Sequence, residues 1–444
     1  MMPRNGKRHP LAGLMSEAGW SGGELARAVN RAGTTFGLRL RYDRTSVAHW
    51  LSGSLPRPPV PDLVAAEFSR RLDRLVTAAE TGLADPRRTA GSGDPVETLL
   101  TLCRQDAQPG TRAELAGLVY LPVPAPVVPD CTGTPRTRRR VRPDDPRRLE
   151  AMTRVFAGLM RAHGGAHART ALVAYLADDA AHLLTADTSQ RIRQDVFAGA
   201  ARLTHLLGTM TLEADLQGLA QRYFHHAAKL ASFAGDRTVL AVALRALSAQ
   251  ALHLGHRRHA VDLGELAAVH AVSAGPAPSS FVHAQLAPAY ARAGLLAEAR
   301  SALTTAEDIH PGDMSGSAPF TVYPQAALEY QRAQTFAALG TRKRAVASLR
   351  RSLALRPAED HRGHALTAAR LAEVLALTGE VEEACSYWEV FLSLYPRIRS
   401  ARAEEALARI HLRLRPFTRL RAAAAVREQA NALVESPHPP SLTP

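Results

Sequence analysis

The stretch "AALGTRKRAVASL", Ala337–Leu349, decides the fold, because its fixed points recur along the chain. Glycine stands at 340 and alanine five residues later, at 345. The same pair returns as Gly255 and Ala260, Gly294 and Ala299, and Gly379 and Ala384. Seven residues before each glycine sits a small side chain: Ser248, Ala287, Ala333 and Ala372. Proline follows the last three glycines at seventeen residues, as Pro311, Pro357 and Pro396. A more divergent copy is read around Gly208, with Ala201 at the small position.

Each point has a mechanical reason. Glycine permits the left-handed backbone of a tight reversal between helices. The small residue on the first helix and the alanine on the second let the two axes approach closely. Proline stops the second helix and opens the next unit. Residues 149–444 are therefore expected to be an α-solenoid of stacked helix hairpins. The register resembles the tetratricopeptide repeat over about residues 205–396, with 149–204 and 397–435 as helical flanks or caps. The glycine spacing alternates near 39 and 46, longer than the 34 of that family, so helices are extended or loops inserted.

The chain has 444 residues, 46% hydrophobic and 22% charged, which suits an all-α globular protein of two or three domains. Its net charge of +14 favours polyanionic partners. Residues 1–75 carry 12 Lys/Arg against 6 Asp/Glu, a net +6; residues 149–444 reach the same excess over almost four times the length. Cys103, Cys131 and Cys385 are too far apart for a disulfide framework or a metal ribbon and read as reduced and packed. No apolar core follows the basic N-terminus, so no signal peptide is expected. The longest apolar run, "LAGLVYLPVPAPVVP", is too short and too proline-broken to span a bilayer. A cytoplasmic protein without membrane contact is expected.

The basic zone, residues 1–75, reads as short helices around "DRTSVAHWLSG", Asp43–Gly53. Asp43 suits an N-cap and Gly53 a left-handed C′ position. Val47, Trp50 and Leu51 form one inward stripe, and Arg44, Thr45, Ala48, His49 and Ser52 the opposite face. Upstream, "GELARAVNRAG" is amphipathic, with Leu25, Ala26 and Val29 inward. This pair resembles the helix-turn-helix of Xre-type repressors, "ELARAV" matching the first motif helix and "RTSVAHWLSGSLPRP" the recognition helix with its exit turn. The connection "RAGTTFGLRLRYDR" is some eight residues longer than the usual tight turn, and its alternating Leu38, Leu40 and Tyr42 predict a small hairpin or wing. The resemblance implies double-stranded DNA as partner. Arg44, Thr45, Ser46 and His49 would face base edges, and Arg39, Arg41 and Arg57 the phosphates.

Between the two zones, residues 76–148 read as a Pro/Arg-rich linker, interrupted by short helices near 95–107 and 111–119. "RTRRRVRP" within it reads as a solvated run. His163 with His167, His225 with His226, and His256 with His259 have spacings a metal could use. No Cys, Asp or Glu completes a ligand set, so they read as packed or polar-face histidines. Phosphate-loop, dinucleotide, nucleophile-elbow and metalloprotease motifs are all lacking, so no enzyme, cofactor or metal is expected.

Helix-turn-helix, linker and solenoid together resemble bacterial regulators that join an Xre-type domain to tetratricopeptide repeats. "LMSEAGWSGGELARAVNRAG…DRTSVAHWLSG" resembles, more narrowly, streptomycete negative regulators of sporulation and antibiotic production. That implies repression of developmental or secondary-metabolite genes, and a homodimer is compatible with it. Counting back from the turn glycines places Arg202, His205, Arg245, His253, Arg292, Tyr330, Gln334 and Glu373 on the concave wall. Ala249, Leu252, Phe281 and Leu366 supply its apolar part. Such a groove suits a peptide, small-molecule or protein effector, and its three arginines favour a carboxylate. The alternative is a tetratricopeptide interaction scaffold whose degenerate N-terminal domain no longer binds DNA.

Overall fold

The computed structural model describes residues 9–35, 38–84, 94–125, 141–142, 144–312, 320 and 322–435. The described residues form α-helices with no β-strand, and no helix among them is long and apolar enough to cross a membrane.

The N-terminal unit is built from α1 (Pro10–Ala18), α2 (Gly22–Thr35), α3 (Arg44–Leu51) and α4 (Val60–Leu72). Leu25, Val29, Val47, Trp50, Leu63 and Phe68 are buried in one core, with Leu51 half-buried at its edge. That core does not stop at residue 75. Val76 and Leu83 complete it, and Val119 enters from beyond. In place of the expected wing, residues 38–43 form neither helix nor strand. Asn30 on α2 grips Tyr42 there, its Nδ2 donating to the Tyr42 carbonyl at 2.8 Å and its Oδ1 accepting from the Tyr42 amide at 2.9 Å. With both polar backbone groups of Tyr42 occupied by one side chain, no second strand is needed to satisfy them. Gly33 leaves room for Leu40, whose Cδ1 lies 2.5 Å from where a Cβ would stand.

Two helices in the expected linker belong to the helical body. α5 (Pro95–Ala107) and α6 (Pro109–Ala116) bury Leu99, Leu100, Cys103 and Leu115. They do so against α7 (Asp145–His163), α8 (Arg169–Ala177) and the helices that follow α9 (Asp179–Leu184). Asp106 is the polar centre of this contact, accepting from the Tyr223 hydroxyl at 2.7 Å and paired with Arg169. Cys131 and most of "RTRRRVRP" lie outside the described residues.

Five helix hairpins follow: α10 (Gln190–Glu213) with α11 (Gln217–Ala234), α12 (Arg237–His253) with α13 (Arg257–Ala271), α14 (Pro276–Arg292) with α15 (Leu296–Ile309), α16 (Gln325–Ala338) with α17 (Arg342–Ala354), and α18 (His361–Thr378) with α19 (Val381–Leu394). Their turn residues Gly255, Gly294, Gly340 and Gly379 have φ of 86, 83, 77 and 90°. The paired small positions meet as expected: Ala287, Ala299, Ala345, Ala372 and Ala384 are fully buried.

The copy at Gly208 differs. Gly208 lies inside α10, and the reversal falls at Asp215, with φ 59°. Counted from Asp215, Gly208 is the small residue seven positions back, and Ala220 is the buried alanine five positions on. The slip of seven residues is nearly two helical turns, so Arg202 and His205 stay on the face assigned to them.

The array curls until its ends touch. The Gly164 backbone packs on that of Arg399, whose amide donates to the His163 carbonyl at 2.8 Å. α20 (Ala401–Leu414) then lies against α18 and α10, and α21 (Arg421–Glu435) caps the end.

Candidate nucleic-acid interface and solenoid lumen

α3 begins at a reciprocal cap: Asp43 Oδ1 accepts from the Ser46 amide at 2.8 Å, and Ser46 Oγ accepts from the Asp43 amide at 3.3 Å. The cap fixes the start of the helix and also engages Ser46, which is therefore less free for a base edge than its neighbours. The rest of the outer face is open. Arg44, Thr45, Ala48, His49 and Ser52 are exposed, as are Arg39 and Arg41 before the helix and Arg57 after it.

Two groups of basic side chains in this unit differ. Those of the α4 region are held internally: Arg70 by Glu67 and the Leu254 carbonyl, Arg71 by the Ala18 carbonyl, Arg74 by Glu17 and Glu80. Arg39, Arg41, Arg44 and Arg57 pair with no carboxylate among the described residues. Exposed cations without a partner are what a polyanion can neutralise with release of its counterions.

The first helices of the hairpins carry the expected wall residues, and α20 lies against two of them, α10 and α18; the side they share is the solenoid lumen. Most charged wall residues find partners within the protein. Arg202 pairs with Asp236 at 2.6 Å and His253 with Glu405 at 3.4 Å. Glu373 is buried between Arg370 at 2.8 Å and Arg409 at 2.6 Å. Tyr330 and Gln334 are half-buried, and Arg292 is exposed. Arg245 and His205 are different. The Arg245 guanidinium lies 3.9 Å over the Phe281 ring, with its Nε buried and unpartnered. Burial lowers it to about 10. His205 sits against Phe224, its Nδ1 also unpartnered, and burial with the nearby Arg245 charge lowers it to about 3.

Tyr323 was not legible as a wall residue. It lies in the segment that lengthens the Gly294–Gly340 spacing, and its ring packs 5.0 Å from Phe281. Of the other histidine pairs, His163 and His167 are exposed, His225 and His226 half-buried, and His256 and His259 buried; burial lowers His225 and His259 to about 4, and His226 and His256 to about 3. Among the described residues no group of three or more His, Cys, Asp or Glu could hold a metal ion.

The two units meet at a seam. Arg70 Nε donates to the Leu254 carbonyl at 3.2 Å, and Asp73 accepts from the Arg258 amide at 3.1 Å. A cavity of about 310 Å³ lies there between Ala32, Leu63, Tyr120 and His256.

No curated protein and no solved structure matches the chain. A family model described as the SP15 N-terminal domain matches residues 11–84, the span over which the N-terminal core closes.

Proposed function

We propose that this chain is a DNA-binding transcription regulator: its N-terminal unit reads duplex DNA through α3, and its solenoid binds an effector. The observation that carries the reading is the division of α3. Val47 and Trp50 are buried, while Arg44, Thr45 and His49 stand exposed on the opposite face, flanked by unpaired arginines. Small side chains at Ala48 and Ser52 allow close backbone approach to a groove. Repression of developmental or secondary-metabolite genes rests on the resemblance to streptomycete regulators alone.

The test is a gel shift on duplexes selected from a random pool. Arg44→Ala or His49→Ala should cost about 1–3 kcal/mol and blur sequence preference, whereas Arg39→Ala, Arg41→Ala or Arg57→Ala should weaken all sequences alike. A folded Arg44→Ala/His49→Ala protein that keeps full specific binding sinks the assignment.

The scaffold reading, in which residues 9–84 only cap the solenoid, draws on the hydrogen-bonded seam at Arg70 and Asp73. It expects no selectable duplex at all.

A further inference from the structure

We propose that the solenoid lumen seats one compact anion, a carboxylate or phosphate group, on Arg245, with the Tyr323 hydroxyl and the His205 imidazole completing the site. This rests on the effector-binding reading of the solenoid and narrows it to a single seat and a ligand class.

The first ground is how four other cations of this region are satisfied, the exposed Arg292 standing apart. Arg202, Arg362, Arg370 and Arg409 each hold a carboxylate, so each is matched by the fold itself. Arg245 has no acidic partner among the described residues, although its Nε is buried. A desolvated charge without a counter-ion is costly, and proteins keep one chiefly where something binds it. Among the described residues the ring of Phe281 lies over it, and that contact has a geometric consequence. The ring covers one face of the guanidinium and leaves the in-plane N–H groups free, in the fork that matches carboxylate or phosphate.

The second ground is convergence. The Tyr323 hydroxyl is buried with no partner, and its ring packs on the same Phe281. His205 Nδ1 is buried with no partner, and the Arg245 charge acts on that ring. Three polar groups from α10, α12 and the segment before α16 are thus left without a hydrogen-bond partner around the Arg245–Phe281 contact. Arg402 on α20 adds positive field there, lowering Arg245 further. Glu213, on the same helix as His205, is already paired with Arg362. Arg245 and His205 stay partly accessible, as walls of a lumen do.

Inorganic phosphate and succinate serve as probes on the full chain, at ionic strength held constant with chloride, read by thermal unfolding and calorimetric titration. The melting temperature should rise saturably with at least one; a response to phosphate alone indicates a phosphorylated ligand, and to succinate alone a carboxylate. Arg245→Met should abolish the response while melting no lower than wild type without anion, because it removes an unpaired buried charge. Tyr323→Phe, which keeps the packing, should weaken the response on the order of tenfold, the equivalent of one hydrogen bond to a charged group. The seat is refuted if neither probe gives a saturable rise, or if Arg245→Met and Tyr323→Phe respond as wild type does. An effector that co-purifies equally with wild type and Arg245→Met would keep the effector reading and discard this seat.

Discussion

Glu213 and Arg362, 149 residues apart in sequence, form a two-point ion pair that joins the first hairpin of the solenoid to the fifth. Arg362 Nε donates to Glu213 Oε2 at 3.0 Å, and Nη2 donates to Oε1. Nothing in a linear stack of repeats requires the first and last units to meet, so this pair marks the closure that turns a groove into a lumen.

The closure should fail in acid. Burial alone would raise the Glu213 carboxyl, but the Arg362 guanidinium outweighs it and holds the group down at about 2, against an ordinary 4.5. A carboxyl depressed in the folded state contributes stability that is full above its unfolded value and lost as pH falls toward the folded one. The lumen should therefore loosen between about pH 4.5 and 2. Glu213→Gln should cost about 3–5 kcal/mol near neutral pH by stranding Arg362, and should flatten that acid transition. Urea unfolding across this pH range checks it; an unchanged slope in the variant would show that another group governs the transition.

The placement of α3 should depend on Asn30. Asn30→Ala leaves the Tyr42 amide and carbonyl without their partner, at a cost of about 1–3 kcal/mol. DNA affinity should fall although no side chain of α3 has changed. Trp50→Ala should act differently, removing a buried ring that packs 5.0 Å from Tyr42. Its cost of about 3–5 kcal/mol should unfold the N-terminal unit and spare the solenoid. Circular dichroism melts with gel shifts separate the two; a Trp50→Ala unit of normal stability would contradict the core assignment.

Gly208 should behave as a packing position and not as a turn. A Cβ there would lie 2.7 Å from Cδ1 and Cε1 of the buried Phe224. Gly208→Ala should destabilise by about 1–3 kcal/mol, outweighing the gain in helix propensity of up to about 1 kcal/mol. Adding Phe224→Leu should recover part of the loss, which relief of turn strain could not do. Equal stability of Gly208→Ala and wild type would mean that the two helices can separate at no cost.

A fragment of residues 94–435 should be more stable than one of 149–435. The shorter fragment loses Asp106 and leaves the buried Arg169 without its carboxylate. That alone costs about 3–5 kcal/mol, before the loss of Leu99 and Cys103 from the core. Equal urea midpoints for the two fragments would place α5 and α6 outside the folding unit.

The sequence by itself determined whatever depends on near neighbours. The Asp43 cap, the inward stripe of Val47 and Trp50, and the four glycine reversals follow from hydrogen bonds and contacts within one or two helical turns. The hairpin alanines follow too, because a fixed offset across a tight turn is still a local relation. Tertiary structure decided the rest. Asn30 replaced the expected wing, since the same residues can be satisfied by a strand or by one side chain twelve positions away. Gly208 reads as a turn but lies inside a helix, because glycine serves both tight turns and close helix approach, and only the position of Asp215 tells which. Which of the expected wall charges stay unpaired depends on partners 34 to 152 residues distant, as for Asp236, Glu373 and Glu405. Pairing at that range is set by how far the solenoid curls, a sum of small rotations at every hairpin that no local pattern records.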